Sequence, residues 1–329
     1  MKKASVLSKA VLDFDHDAEV TRIAAWLAET AAKVMHKRGL VIAISGGIDS
    51  SVCAALAVRA LGPKKVFGLM LPEKDSSSTS LVRGKQLAEH LGIPHAVENI
   101  GATLEAIGCY RWRDEAIRAV FPAYGEGWKN KIAIAGGIQG QFNYFNLLVQ
   151  SPNGEISEKR LPVKEYLQIV AATNYKQRIR KTIEYFHAAR LNYAVIGTPN
   201  RLEYDQGFFV KNGDGSADIK PIAHLYKTQV YALARHLKLP ESICTATPTT
   251  DTYSMQQGQD EFYFALPYDK MDIALWAHNH AVPAGELATF LGISGSQADN
   301  VYKDIESKRQ TTRYLHAKPY LIEPVKEIA

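Results

Sequence analysis

A chain of 329 residues with 46% apolar and 22% charged residues is long enough to bury a substantial core and has the balance of an ordinary globular protein. Its net charge of +5 comes without a Lys/Arg run or basic tail, which suits a polyanionic small molecule and argues against a nucleic-acid surface. Cys53, Cys109 and Cys244 lie far apart with no CxxC pair, which argues against a zinc ribbon, an iron–sulfur site or a disulfide framework and fits a reducing, cytoplasmic setting. The opening MKKASVLSKAVLDFDHDAEV has no apolar h-region, and no apolar run nears the roughly 18 residues of a membrane helix, so neither a signal peptide nor a membrane association is expected.

Between Ala18 and about His36, the residues Val20, Ile23, Ala24, Leu27, Ala31 and Val34 recur at helical spacing, and Gly39 ends the helix. LVIAI (40–44) reads as a buried parallel strand, Ser50 to Leu61 as a helix closed by Gly62-Pro63, and KVFGLML (65–71) as a second strand. A loop at PEKDSSSTS (72–80), a helix from Leu81 to Leu91 and a strand at HAVENI (95–100) follow. Strands alternating with helices at this pace predict an α/β fold built on a doubly wound parallel sheet.

Residues 101–173 exceed a connector and read as an insertion, with a hairpin in 142–163 turning at Ser151-Pro152-Asn153-Gly154. The pattern resumes with a helix from about Tyr175 to Leu191, a strand at YAVIGT (193–198) and a helix over 225–237, and a helical tail runs from about 268. With no internal repeat or low-complexity linker, 1–329 reads as a single domain.

The strand at 40–44 runs into Ser45-Gly46-Gly47-Ile48-Asp49-Ser50-Ser51. At the C-terminal end of a parallel strand, two glycines let the backbone turn tightly and approach a ligand closely. The next helix offers unpaired N–H groups and its positive dipole end, and Ser45, Ser50 and Ser51 offer hydroxyls. Together they form an anion cradle suited to pyrophosphate, with Asp49 sensible beside phosphate once Mg²⁺ stands between them. The loop lacks the Gly-Lys-Ser/Thr ending of a Walker A and is not GxGxxG.

SGGIDSS resembles the loop of the ATP pyrophosphatases, which adenylate a substrate and release pyrophosphate. Within that superfamily, VIGTPNRLEYDQGFFVKNGDGSADIKPIAHLYKTQVYALARHLKLPESI (195–243) is similar to the NAD⁺ synthetase block: Gly-Thr, a Glu five residues on, Gly-Phe-Phe, Lys-x-Gly-Asp-Gly-x-x-Asp, then a Lys-Thr-Gln helix start. NYKQRIR (174–180) and TPTTD match two further family segments.

The resemblance implies a Rossmann-like enzyme of the ammonia-using type that activates the carboxylate of deamido-NAD⁺ with ATP, then lets ammonia displace AMP. It places Ala43, Ile44, Ser45, Gly46, Gly47, Ile48, Asp49, Ser50, Thr198, Lys227 and Thr249 on ATP, and Arg178, Lys211, Asp218 and Lys308 on deamido-NAD⁺. Asp49 and Glu203 become Mg²⁺ ligands, and Asp214 captures ammonium or accepts its proton unless it only closes an Asx turn. A homodimer is implied, with free ammonia or a separate glutaminase as nitrogen source.

Pro199, where the family often has Asp, and Ser307, where it has His, depart from the pattern. Ligation of a different carboxylate stays open on that account, and the shared ATP loop leaves tRNA modification as a further alternative. His278 and His280 in WAHNH read as structural, since residues two apart on a helix do not share a face. GISGSQAD (292–299) reads as a turn with a helix cap, and TPTTDTYSMQQGQDE (247–261) as a lid.

Overall fold

The computed structural model describes residues 7–135, 144–248, 252–255, 258, 263–264 and 266–327. Strands β1 (Leu40–Ala43), β2 (Val66–Met70) and β3 (His95–Val97) are followed by β4 (Lys129–Ala135), β5 (Tyr144–Gln150), β6 (Ile156–Arg160) and β7 (Ala194–Ile196). β1, β2, β3 and β7 form one parallel sheet in the order β3-β2-β1-β7, and β4-β5-β6 form a separate antiparallel sheet.

The parallel sheet is covered on both faces, which is why LVIAI is continuously apolar rather than alternating. Leu40 and Ile42 point to one face, where α1 (His16–Glu29) and α2 (Ile48–Leu61) pack through Ile23, Leu27, Val52 and Leu56. Val41 points the other way, into a cluster with Leu69, Leu104, Tyr110 and Val195. Each of Leu40, Val41 and Ile42 is fully buried, worth about 1.5–3 kcal/mol apiece.

The chain leaves β1 for β2 and β3 on one side and later returns to β7 on the other. Loops after β1 and β7 therefore diverge, opening a crevice at the carboxyl ends of the two strands, the topological switch point where α/β sheets take ligands.

Four sequence expectations are adjusted. The first helix begins at His16, capped by the Asp15 side chain on the Ala18 amide, and ends in a π turn over Thr30–Val34. Before the second sheet come α3 (Ser78–Leu91), α4 (Gly101–Ala106) and α5 (Cys109–Val120), the last two within the stretch read as insertion. Leu104, Cys109 and Tyr110 pack on the parallel sheet, whereas Ile117, Ile132, Leu147, Val149 and Ile169 form a cluster of their own. The hairpin turns at Ser151–Gly154 as expected, with Gly154 at φ +87°, but β4 makes it a three-stranded meander.

The long helix α6 (Val163–Leu191) begins twelve residues before the expected Tyr175. Its first half buries Ile169 on the antiparallel sheet and its second half Ala188 on the parallel one, so no single apolar stripe runs its length. After β7 come α7 (Arg201–Gln206), α8 (Lys227–His236), α9 (Glu241–Cys244), α10 (Tyr268–Asn279), α11 (Ala284–Leu291) and α12 (Gly295–His316). Ser294 caps α12 reciprocally with Gln297, as GISGSQAD suggests. Among the described residues no helix is long and apolar enough to cross a membrane.

Candidate active site

A cavity of about 620 Å³ occupies the switch-point crevice. Its walls include Ala43 through Ser50, Thr198, Glu203, Arg178, Lys211, Asp214 and Lys227. One space thus gathers most of the residues proposed from sequence. Asp218 and Lys308 are not in its lining, and Thr249 lies outside the described residues.

At the floor, Gly46 adopts φ +78°, and a Cβ there would sit 2.3 Å from the Ser80 carbonyl oxygen. Only glycine allows that backbone against the start of α3. Gly47 is the N-cap of α2 and supplies no side chain, so the helix's first amides are left for an anion. The Ser45 hydroxyl accepts from the Gly47 amide at 3.2 Å and lies 3.1 Å from Ser50 Oγ, bracing the loop. Ser51 corrects the sequence reading: fully buried, it donates to the Gly47 carbonyl at 2.8 Å and faces the core rather than the cradle.

Beside the loop, Lys227 is 2% exposed, and its ammonium pairs with Asp49 Oδ2. Burial pulls this lysine's pKa down, but the carboxylates of Asp49 and Glu203 more than reverse it, leaving it above the ordinary lysine value. Asp272, from α10, accepts the Thr228 amide at 2.7 Å and the Lys227 amide at 3.3 Å, fixing the start of α8. Burial pushes the Asp272 carboxyl up to about 6, against the pull of those amides.

Asn200, 1% exposed, joins the two expected metal ligands. Its Nδ2 donates to Asp49 Oδ1 at 3.1 Å while its Oδ1 accepts the Glu203 amide at 3.1 Å, in a reciprocal cap of α7. This cap forms directly after Pro199. Asp49 and Glu203 supply hard carboxylate oxygens on one cavity wall, a donor set that fits Mg²⁺ completed by phosphate and water. Among the described residues no cluster of three or more His, Cys, Asp or Glu gathers for a metal, so an all-protein cage is not offered.

At the far end, Asp214 Oδ1 accepts the Val210 amide at 2.7 Å, closing its own loop while lining the cavity. The Gly213-Asp214-Gly215 turn needs its glycines: a Cβ on Gly215 would meet the Phe209 ring at 2.3 Å. Burial raises the Asp214 pKa, opposed by the Val210 amide and by Lys181. Lys181 bonds Glu184 at 2.8 Å, and both line the same wall. Burial raises the Glu184 pKa too, Lys181 lowers it, and the Asp214 charge adds to the rise.

Arg178 donates to the Lys211 carbonyl at 3.3 Å, and Lys211 Nζ donates to the Tyr314 carbonyl at 2.8 Å. Asp218 accepts from the Val195 amide at 2.8 Å and the Tyr185 hydroxyl at 3.2 Å at the edge of β7. Lys308 donates to the Tyr263 carbonyl and to Asp304, both at 2.6 Å. Asp218 and Lys308 thus each hold structural bonds and stand outside the cavity lining.

His280 stacks on Trp276, and His278 meets Glu306 at 3.4 Å, neither in a metal cluster. Sequence reasoning missed Asn200, Asp272, Lys181 and Glu184. The Asn200-x-x-Glu203 spacing was a legible capping signature, whereas nothing in sequence ties Asp272 to Lys227, forty-five positions away.

The family model for NAD synthase matches residues 19–119 and 143–315. The NH(3)-dependent NAD(+) synthetase of Rhizobium meliloti is 55% identical over 324 residues, covering 98% of this chain and 97% of its own. That of Mesorhizobium japonicum is 54% identical over 312 residues, covering 94% and 98%. Among solved structures, an NH3-dependent NAD synthetase from Campylobacter jejuni has a TM-score of 0.61 at 21% identity, covering 94% of this chain and 100% of its own. An NMN synthetase from Francisella tularensis has a TM-score of 0.61 at 22% identity, covering 94% and 99%; these two share the fold. Matched by one family model over most of its length, and aligned nearly end to end with relatives more than half identical, the chain belongs to the NAD synthase family.

Proposed function

We infer that this chain converts deamido-NAD⁺ to NAD⁺ with ATP and ammonia, releasing AMP and pyrophosphate by way of an acyl-adenylate, as a C–N bond-forming ligase. The observation that carries this reading is one cavity holding a phosphate cradle, a lysine–carboxylate pair and a half-buried aspartate together.

The first step brings a carboxylate against the α-phosphate of ATP, so charge neutralisation dominates its barrier. The open amides of α2, with Ser45 and Ser50, hold the departing pyrophosphate, and Thr198 hydrogen-bonds the phosphates. Lys227, kept cationic by its two carboxylates, offers a fixed positive charge to the same oxygens. Mg²⁺, held by Asp49 and Glu203 with Asn200 bracing both, would supply further charge at the phosphates.

Arg178 and Lys211 face the anionic dinucleotide, with Asp218 and Lys308 reaching it only from outside the described cavity. Asp214 takes the proton from ammonium as nitrogen attacks the adenylate. Its raised pKa makes it a better acceptor than an exposed aspartate. The whole chain acts as one catalytic unit, with 101–173 as an insertion and Thr249 on ATP. It works as a homodimer in a reducing, cytoplasmic setting that suits its three buried free thiols.

Exchange of labelled pyrophosphate into ATP, run without ammonium, tests the first half-reaction. The reading expects exchange that requires deamido-NAD⁺ and Mg²⁺ together. Equal exchange with nicotinate mononucleotide in its place would shift the substrate to a smaller carboxylate, and none with either would remove the adenylation step.

A further inference from the structure

Beneath the cavity, and outside its lining, lies an ionic cluster that the chemistry above does not use. Lys176 on α6 is 1% exposed, and its ammonium donates to Glu73 Oε1 at 3.0 Å, Asp75 Oδ2 at 2.6 Å and the Thr252 carbonyl at 2.9 Å. A lysine has three protons to give, and all three are used. Arg113 on α5 brings a second buried cation to Asp75 at 2.6 Å, and Tyr110 donates to Glu73 Oε2 at 2.7 Å. Two buried cations thus face two buried carboxylates, with the partly exposed Asp114 also on Arg113 Nε at 2.7 Å. At one nitrogen meet the loop after β2, the long helix, and the segment 252–255.

That segment is fastened on its other side by the antiparallel sheet. Tyr253 is 4% exposed and belongs to the apolar cluster of Ile117, Ile132, Val149 and Ile169. The Asn130 amide of β4 donates to Ser254 Oγ at 2.8 Å, and the Met255 amide donates to the Asn130 carbonyl at 3.1 Å. Opposite, the Glu73 amide donates to Ser76 Oγ at 3.1 Å, and Arg180 donates to the Leu71 carbonyl at 3.1 Å. Thr252, Tyr253, Ser76 and Ser77 all line the cavity, whereas Lys176, Glu73 and Asp75 do not.

We propose that Lys176 is a positioning residue, and that the antiparallel sheet serves to seat segment 252–255 against the loop at 73–77, fixing the cavity wall that flanks the phosphate loop. This rests on the ATP reading of the cavity. Lys176 meets no substrate: it acts through the Thr252 carbonyl on one wall and through Glu73, and so Ser76, on the other. The sheet needs no chemistry of its own for this role.

Lys176→Met alone leaves two buried carboxylates short of a cation and endangers folding, so the informative variant is the charge-balanced Lys176→Met/Asp75→Asn. Ser254→Ala cuts the opposite fastening with little risk to the fold. Hydrogen exchange is followed across 252–255 in the nucleotide-free protein, and KM and kcat are measured against ATP. In the double variant, exchange at 252–255 is expected to rise about tenfold or more while α2 and α8 keep their rates, the loss of one charge-assisted hydrogen bond being of that size. KM for ATP should rise about tenfold with kcat within about threefold, because a wall and not a reacting group has moved. Ser254→Ala should move both in the same direction by less.

Unchanged exchange at 252–255 in either folded variant overturns the proposal, and so does increased exchange with an unaltered KM for ATP. Since exchange is read without nucleotide, local loosening in a protein whose wild type does not bind ATP would refute the ATP reading and leave the seating intact.

Discussion

Asp49→Asn is the perturbation with the most to reveal, because it changes a charge at nearly constant shape. Asp49 carries the counter-charge for Lys227, whose side chain is 3% exposed, while its own is 15% exposed. Breaking a buried pair from one side costs about 3–5 kcal/mol, since the surviving ammonium stays desolvated. Glu203 also acts on Lys227 and the Asp49 side is slightly wet, so the lower end, about 3 kcal/mol, applies. In a chain of this size that corresponds to a fall of about 4 °C in Tm.

In the wild type the folded lysine pKa is raised, so the pair stabilises fully below the unfolded lysine value and is lost only as pH climbs through the folded one. In the variant burial meets less opposition, so the deficit should be largest at neutral pH and shrink as pH rises towards the lysine range. Melting curves between pH 7 and 10, without nucleotide, measure this. Asp49→Asn should abolish pyrophosphate release, and Lys227→Met placed on it should recover about 2 kcal/mol or more of stability without restoring that release. A pH-independent loss under about 1 kcal/mol, with no recovery in the double variant, would refute the buried-pair argument.

Three other outcomes follow from particular contacts. Gly46→Ala should weaken ATP binding by about tenfold or more in calorimetry, because its Cβ would stand 2.3 Å from a backbone oxygen at a positive φ; unchanged affinity would mean the loop is looser than its geometry. Asp214→Asn should lower NAD⁺ formation about 10²- to 10⁴-fold while pyrophosphate exchange stays within a few-fold, and equal losses in both assays would make its role structural. The Asp272 carboxyl, raised to about 6, is penalised in the fold above that pH and relieved as pH falls towards its unfolded value near 4. Asp272→Asn should therefore look better against the wild type at pH 7 than at pH 4.5 in chemical denaturation, and a constant difference would count against the burial argument.

The parallel sheet was legible because its strands are short, apolar and bounded by glycine or proline, and because the chemistry sits in contiguous loops. Ala43 to Ser50 and Thr198 to Lys227 carry their meaning locally. The long helix was misjudged at its start because Tyr166 and Ile169 answer to the antiparallel sheet, a second core that the periodicity does not announce. β4 ends at Ala135, and its partner strand explains it better than its own sequence does. Lys176 and Asp272 were invisible for a different reason: each acts on residues 44 to 103 positions away, and a buried charge shows its purpose only once its partners are in place. Asp218 and Lys308 match the motif and hold structural bonds as well, and only the fold shows that they stand outside the cavity lining.

The most direct test of the account is to follow NAD⁺ and pyrophosphate together, from ATP, Mg²⁺ and deamido-NAD⁺, with and without ammonium. The account predicts NAD⁺ and pyrophosphate in one-to-one step when ammonium is present, and no NAD⁺ without it. Pyrophosphate released steadily with ammonium present but without NAD⁺ would contradict the claim that one cavity carries the carboxylate from adenylation through to the amide.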